Sequence, residues 1–414
     1  MMRSLFSAVS GLRTHQTRMD VIGNNVANVN TPGYKSSRVT FQEVFSQTLR
    51  GASSPTDLSM TERGGMNPMQ VGLGVTTASI DTTHTSGNLQ PTSRMSDVAV
   101  EGKGFFVVQD GSTHAYTRVG AFDTDGDGIL TDAEGRKVLG WILNPVTGEL
   151  PTDKSETLLT PIRIAIGSNM AAQASGHIVW QKNLDSQATV GEIKTVPVTV
   201  FDSQGATHSV TLTFTKLAAV NQWDWAATGV GVAPLTQGTI TFDLDGSFLG
   251  VNPPNPAIPV TIPGVNPMNV TLDFTAVTQV AGPSTVDTAS MDGHPTGTLE
   301  SYTFDSTGTI SGFFSNGQTK TLGQLALANF ANPSGLSKKG KSLYVQSNNS
   351  GRPDIGEAGT SGRGTIAPSS LEMSNVDLAE EFTQMIITQR GFQANSRIIT
   401  VSDELLQELV SLKR

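Results

Sequence analysis

One stretch of the chain has the residue types and spacing of a calcium-binding loop. Residues 123–134, DTDGDGILTDAE, place carboxylates at the first, third, fifth and twelfth positions, glycine at the sixth and an apolar residue at the eighth. Oxygen ligands at this spacing surround Ca²⁺ in EF-hand loops. The flanking segments alternate like strands rather than helices, so a β-hairpin whose Asp and Gly residues form the turn is the alternative. The candidate calcium ligands are Asp123, Asp125, Asp127, Ile129, Thr131 and Glu134.

A second stretch, residues 335–342, matches the phosphate-binding pattern G-x4-G-K-[ST] letter for letter. Such a loop needs a helix directly after its lysine, because the first backbone amides of that helix bind the phosphates. Residues 342–347 alternate like a strand instead. We therefore reject a nucleotide site and predict a strand at this position.

The chain offers no candidate catalytic centre. Its six histidines are dispersed, with no H-E-x-x-H motif, and no G-x-S-x-G motif occurs. It has no cysteine, which excludes disulfides, thiol nucleophiles and thiolate metal sites. We predict no catalytic residues, no enzymatic activity and no cofactor apart from the Ca²⁺ considered above.

Both ends of the chain have the periodicity of helices that pack against other helices, with apolar residues in alternating steps of four and three. Neither helix can cover its apolar row alone, so we expect the two to pack on each other in a coiled-coil-like layer and then on further copies of the chain. An intramolecular hairpin that closes one domain is the alternative. The apolar positions are Leu5, Val9, Leu12, Met19 and Val26 at the N-terminus, and Leu378, Phe382, Met385, Phe392, Ile399, Leu406 and Val410 at the C-terminus.

Local signals mark the ends of these helices. Pro32 removes a donor and disfavours helical backbone before it, so the first helix must end near residue 30. Ser374 with Asp377 three residues later predicts a capping box at the start of the second helix. Lys413 and Arg414 would end that helix, where positive charge suits its dipole.

The middle of the chain is rich in β-branched and aromatic residues that alternate with Thr and Asp, which predicts antiparallel strands. No arginine occurs between Ile164 and Gly351, which indicates a separate domain. The predicted fold class is mainly β with α-helical termini, the β domains lying outside the helical layer. We assign residues 1–30 with 374–414 to a terminal helical domain, 31–80 to a linker or extended region, 81–154 with 296–373 to an inner β domain, and 155–295 to an inserted outer β domain.

Charge and hydropathy exclude other classes. A formal net charge of −9 argues against a nucleic-acid-binding surface. No apolar run approaches the roughly 18 residues of a membrane-spanning helix, so we predict no membrane insertion. The N-terminus also lacks the apolar core of a cleavable signal peptide.

Several multi-residue blocks resemble the bacterial flagellar rod and hook proteins. The resemblance runs from end to end and is weakest in roughly residues 150–290. The blocks are 4–12 (SLFSAVSGL) and 23–35 (GNNVANVNTPGYK) for the N-terminal signature, 102–108 (GKGFFVV) and 116–122 (YTRVGAF) for the β core, and 371–377 (LEMSNVD) and 389–396 (QRGFQANS) for the C-terminal signature.

Within this family, the length of the chain and its inserted β domain favour the hook branch over the shorter rod proteins. The resemblance implies a structural subunit that assembles into a short, curved, flexible tube and transmits torque from rod to filament. The terminal helices would line the tube, and the calcium-like stretch would form an ordinary hairpin of the family. The alternatives are a distal-rod or other axial component and, in a different class, a calcium-binding secreted adhesin.

The resemblance also implies partners and a location. The partners are further copies of the chain, the flagellar rod and hook–filament junction proteins, the hook cap and the type III export apparatus. The subunit would leave the cell through that apparatus without a cleavable signal peptide, and would be extracellular as part of the flagellum.

Overall fold

The computed structural model describes residues 2–54, 65–144, 148–233 and 236–412. The chain begins with helix α1 (Met2–Ala27) and ends with helix α2 (Leu378–Ser411). Lys413 and Arg414, predicted to end the second helix, lie outside the described residues. Between the helices the described chain is mainly β, as its alternating pattern predicts.

The strands follow one another in three stretches. The first holds β1 (Ser37–Glu43), β2 (Ser46–Arg50), β3 (Met69–Gly72), β4 (Val75–Thr82), β5 (Leu89–Pro91), β6 (Val98–Glu101), β7 (Phe105–Asp110), β8 (Thr113–Thr117), β9 (Phe122–Thr124), β10 (Leu130–Asp132), β11 (Lys137–Ile142) and β12 (Thr160–Pro161). The second holds β13 (Asn169–Met170), β14 (His177–Asp185), β15 (Ile193–Phe201), β16 (Thr207–Lys216), β17 (Gln222–Gly229), β18 (Gln237–Phe242), β19 (Phe248–Asn252), β20 (Ala257–Val260), β21 (Met268–Val280) and β22 (Asp287–Met291). The third holds β23 (Gly297–Phe304), β24 (Thr309–Phe314), β25 (Thr319–Leu325), β26 (Leu327–Asn329), β27 (Ser337–Gly340), β28 (Leu343–Val345), β29 (Asp354–Gly356), β30 (Thr365–Pro368) and β31 (Ser370–Glu372).

The chain divides into two compact units. Unit 1 holds Met1–Ile164, Thr303–Ser311 and Thr321–Arg414, and unit 2 holds Ala165–Tyr302 and Gly312–Lys320. The sequence placed the inserted domain at 155–295. In the structure this domain begins and ends later, because β13 pairs with the start of β23 inside unit 2. The gap in arginines could not predict this limit, since it carries no information about strand pairing.

Residues 31–80, assigned from the sequence to a linker or extended region, contain paired strands. β1 pairs with β4 in antiparallel register along its whole length, and β2 pairs with β3. α1 packs on the first pair, since the His15 and Phe41 rings meet edge to face at 5.7 Å. The Ser10 hydroxyl also accepts a hydrogen bond from the Val75 amide at 3.2 Å. The alternation of Thr and Val residues in these segments could have predicted the strands.

Unit 2 is built from two sheets that share one core. One is a five-stranded antiparallel sheet in the order β15-β16-β17-β18-β19, and the other has the order β20-β21-β14-β22, with β14 and β21 parallel. Alternation along each strand directs every second side chain inward. The aromatic centre of this core consists of Trp180, Phe214, Trp223, Trp225 and Phe274.

Unit 1 holds a second core around its central strands. Phe105, Tyr116, Trp141, Phe330 and Tyr344 pack together there. The rings of Tyr116 and Phe330 meet edge to face at 4.8 Å, a favourable aromatic geometry.

We expect Phe274→Ala to lower the free energy of unfolding by about 3–5 kcal/mol, as truncation of a buried phenylalanine does. Phe274 is 1% exposed, and its ring lies 6.0 Å from those of Phe214 and Trp225. The measurement is equilibrium urea unfolding followed by tryptophan fluorescence. The control is Leu244→Ala, a residue 92% exposed, which should change stability by less than about 0.5 kcal/mol. Equal effects of the two substitutions would contradict the assigned core.

Candidate functional site

The two terminal helices pack against each other in antiparallel orientation. The helices approach each other closely at two glycines. A Cβ atom built on Gly11 would lie 2.7 Å from the side-chain nitrogen Nδ2 of Asn395. One built on Gly391 would lie 2.7 Å from the His15 ring. A side chain larger than glycine at either position would therefore displace the Asn395 or His15 side chain of the facing helix. The facing pairs that define the register are Gly11 with Asn395, His15 with Gly391, and Asn25 with Glu381.

Small and polar residues make this helix–helix contact. Asn25 Nδ2 donates to Glu381 Oε1 at 2.8 Å, and Arg18 Nη2 donates to Gln384 Oε1. The residues that the two helices bury are Ala8, Gly11, Thr14, Ile22 and Asn25 on α1, and Thr388 and Ser402 on α2.

The fully buried positions of α1 are not those of the predicted apolar row. Three of them, Ala8, Gly11 and Asn25, precede a predicted position by one residue, which is a rotation of about 100° around the helix axis. Large apolar side chains set the periodicity of the sequence, whereas close approach of two helices favours small ones. The predicted row stays a prediction for contacts between copies of the chain.

None of the twelve predicted apolar residues is fully buried in the chain. Seven are half-buried, and they are Leu5, Leu12, Met19, Val26, Met385, Ile399 and Leu406. Five are exposed, and they are Val9, Leu378, Phe382, Phe392 and Val410. These side chains are thus accessible to other molecules.

The structure adds exposed apolar residues that the predicted row missed. On α1 these include Phe6, which is 67% exposed. On α2 the exposed apolar residues together form what we call the outer stripe. Its members are Leu378, Phe382, Ile386, Ile387, Phe392, Ile398, Val401, Leu405, Leu409, Val410 and Leu412. They lie one to six residues apart, so at 100° per residue they are spread around most of the helix circumference and not along a single row.

The start of α2 differs from the predicted capping box. The helix begins at Leu378, and Asp377 caps it by accepting a hydrogen bond from the Ala379 amide at 2.8 Å. Ser374 lies outside the helix, because its neighbour Asn375 is held by the rest of unit 1. The side-chain Oδ1 of Asn375 accepts a hydrogen bond from the Ser36 backbone amide at 2.8 Å.

A buried ion cluster lies where both helices join the β core. Lys35 follows α1 and Glu372 precedes α2, and their side chains form a wholly buried ion pair at 2.6 Å. Arg118 Nη1 contacts the other oxygen of Glu372 at 3.2 Å. Breaking a buried pair by removing one partner is strongly destabilising. The cluster therefore fixes the start and end points of the two helices relative to each other.

His84 lies beside this cluster and completes what we call the junction cluster, consisting of Lys35, His84, Arg118 and Glu372. Its ring meets that of Tyr344 edge to face at 5.2 Å. Within the described chain neither ring nitrogen has a hydrogen-bond partner. Burial, reinforced by the charges of Lys35 and Arg118, lowers the pKa of His84 to about 4. The histidine is therefore neutral at neutral pH.

The calcium-like stretch forms a hairpin turn between β9 and β10. Asp125 Oδ1 accepts hydrogen bonds from the amides of Asp127 at 3.0 Å and Ile129 at 2.8 Å. Asp123 pairs with Arg94 at 2.7 Å, and Glu134 pairs with Lys341. Thr131 lies in β10 and bonds through its hydroxyl to the Asp123 carbonyl at 3.3 Å. Across the described residues, no three His, Cys, Asp or Glu side chains converge as metal ligands. The arrangement favours the turn over a calcium site.

The phosphate-loop pattern likewise falls on a hairpin. β27 and β28 pair in antiparallel register across it, as the alternation predicted. Lys341 and Ser342 at its turn have φ angles of 51° and 57°. No described helix of the chain is long and apolar enough to cross a membrane.

Comparisons with known proteins now define the class. Four family models match successive parts of the chain: flagella basal body rod protein over 5–35, flagellar hook protein FlgE/F/G D1 domain over 99–178, flagellar basal body protein FlaE D2 domain over 171–294, and flagellar basal body rod FlgEFG protein C-terminal over 367–412. The matches identify a rod or hook protein of the bacterial flagellum.

Full-length relatives narrow this class. The flagellar hook protein FlgE of Borreliella burgdorferi is 42% identical, and the alignment covers all of both chains. That of Treponema pallidum is 40% identical, again over all of both chains. The chain belongs to the flagellar hook protein family, whose members are structural proteins and not enzymes. The crystal structure of Helicobacter pylori flagellar hook protein FlgE2 shares the fold, with a TM-score of 0.53 at 15% identity over 69% of this chain and 100% of that one.

We expect His84 to make stability depend on pH. Since its folded pKa of about 4 lies below an unfolded value near 6.5, protonation favours the unfolded chain. The His84 contribution is present above about pH 6.5 and is lost as the pH falls to about 4, by up to about 3 kcal/mol. The measurement is urea unfolding between pH 4 and 7.

His84→Phe, which suits the aromatic neighbours, should remove this part of the pH dependence. The control is His177→Phe, because His177 lies at the surface of unit 2 and should leave the profile unchanged. Parallel profiles for wild type and His84→Phe would disprove the role assigned to His84.

We also expect no calcium binding at the Asp125 turn, because its carboxylate already accepts backbone amides. Calorimetric titration with Ca²⁺ to about 5 mM, a concentration above the weak extracellular range, should give no saturable heat. Asp125→Ala should destabilise the protein by about 1 kcal/mol, equally with and without Ca²⁺. Saturable heat that disappears in Asp125→Ala would establish the metal site instead.

Proposed function

We propose that the exposed apolar faces of α1 and α2 are the surfaces through which copies of this chain polymerise into the flagellar hook. One observation carries the proposal: small and polar residues meet where the helices contact each other, and many large apolar residues of both helices stay exposed. Monomeric soluble proteins rarely expose so many large apolar side chains on one element.

The energetics support this role. Burying one large apolar side chain contributes about 1.5–3 kcal/mol. The outer stripe alone offers eleven such residues. Association costs about 4–15 kcal/mol in lost motion, so several of these residues at each contact suffice for cohesion. Non-directional contacts of this kind also permit small changes in packing as a curved tube turns.

The same faces explain how the chain would join its other partners. Family models named for rod proteins match both of its ends. Subunits at one end of the hook would therefore continue the same helix packing onto the rod, and those at the other end onto the hook–filament junction proteins, under a cap during growth. Export through the type III apparatus as an extracellular subunit belongs to this proposal.

The β regions would lie outside the helical layer. Between Lys216 and Lys320 the chain has eight acidic residues and no basic one. Neighbouring outer surfaces would then contain few ion pairs that must break when the tube bends. A distal-rod role would instead require a straight polymer, and electron microscopy of the assembled chain distinguishes the two by curvature.

We expect Ile386→Asp to raise the critical concentration for polymerisation at least about tenfold, since about 1.4 kcal/mol at each contact has that effect. Ile386 is 58% exposed on the outer stripe, so the monomer should fold normally. The measurement is sedimentation of polymer against protein concentration, with circular dichroism to verify the fold. Ser203→Asp is the control, as an exposed polar position of unit 2 that belongs to neither helix. Equal polymerisation of both variants would contradict the proposed surface.

A further inference from the structure

A groove runs along α1 on the side opposite α2. It is lined by Phe6, Val9, Arg13 and Thr17 of the helix, and by Val44 and residues 75–77 beside it, and its volume is about 560 Å³. Residues 6, 9, 13 and 17 recur at helical spacing, on the face turned away from Gly11 and His15, which contact α2. We call this the α1 groove. Phe6 and Val44 are 67% and 54% exposed, so the groove is open in the single chain.

α2 is longer than its partner helix. It has 34 residues against 26 in α1. The register that pairs Gly11 with Asn395 places Met2 opposite Glu404. Residues 405–412 therefore extend beyond α1 by about 12 Å at 1.5 Å per residue. Leu405, Leu409 and Leu412 on this extension are 45%, 50% and 81% exposed.

The groove and the extension have complementary charge. Residues 2–18 carry three arginines and no acidic residue, whereas residues 403–408 carry three acidic residues and no basic one, ahead of Lys413 and Arg414. Arg13, Glu404 and Glu408 form no ion pair in the described chain. Each surface thus combines exposed apolar side chains with a charge that the other lacks.

The extension also fits within the groove. Residues 405–412 span about 12 Å, whereas the groove side of α1 from residue 6 to residue 17 spans about 17 Å. The extension cannot reach the groove of its own chain, because its helix lies on the opposite face of α1 and continues past the α1 N-terminus.

We propose that residues 403–412 of one copy lie in the α1 groove of a second copy, with Leu405 and Leu409 against Phe6 and Val44, and Glu408 near Arg13. The inference rests on the proposed polymerisation and names one contact within it. Two different surfaces meet, so the contact is head-to-tail and continues from copy to copy.

Cysteine cross-linking tests this contact directly, since the chain has no cysteine of its own. Val44→Cys and Leu409→Cys chains are mixed, polymerised and oxidised mildly, and disulfide-linked dimers are counted on a non-reducing gel and mapped by mass spectrometry. The matched control replaces Leu409→Cys with Gln407→Cys, on the other face of the same extension. We expect at least about fivefold more dimer for position 409 than for position 407, in polymer only.

Each outcome decides the question. Polymer without an excess of the 44–409 link overturns this contact and leaves the proposed function intact. A link closed within single chains of the Val44→Cys/Leu409→Cys variant also overturns it. Failure of the wild-type chain to polymerise at all overturns the proposed function, and this contact with it.

Charge reversal gives a second, independent readout. Arg13→Glu and Glu408→Arg should each raise the critical concentration for polymerisation about fivefold, and the double variant should return it to within about twofold of wild type. A double variant that polymerises no better than the single variants would refute the contact.

Discussion

Close antiparallel contact between α1 and α2 is the constraint on which the rest of the structure depends. At positions 11 and 391 glycine leaves room for the Asn395 and His15 side chains of the facing helix, and a Cβ at either position would displace them. Small and polar residues occupy much of this contact, and many large apolar residues of both helices are exposed. The way the chain folds on itself thus determines which surface remains for other copies.

The junction cluster connects the pair of helices to the β core. Lys35 and Glu372 belong to the segments that lead out of α1 and into α2, and their buried ion pair ties those segments together. Arg118 joins the same carboxylate from the β core. Two cations around one buried carboxylate leave excess positive charge, and His84 adds none because its lowered pKa keeps it neutral. A charged His84 would add a third cation without a partner.

Strong alternation and periodicity in the sequence predicted the strands, the two helices and the absence of a nucleotide loop. The buried positions of Gly11 and Thr388 in the helices could not be predicted, because neither residue is strongly hydrophobic. The Asp125 turn shows the opposite problem, since calcium loops and hairpin turns use the same Asp and Gly residues and only the three-dimensional partners distinguish them. Strand pairing across residues 37–82 was also hidden, because pairing between distant segments is not encoded locally.

The arrangement of faces on α1 bears on the kind of assembly the chain can form. One face meets α2, a second packs on the β1–β4 pair, and a third stays open beside Phe6 and Val44. The outer stripe lies on the other helix, so these two apolar surfaces differ in composition and belong to different elements. Identical surfaces would favour a closed dimer, whereas different surfaces favour heterologous contacts that generate rings or open helices. A tubular polymer is therefore the form of assembly that these surfaces favour.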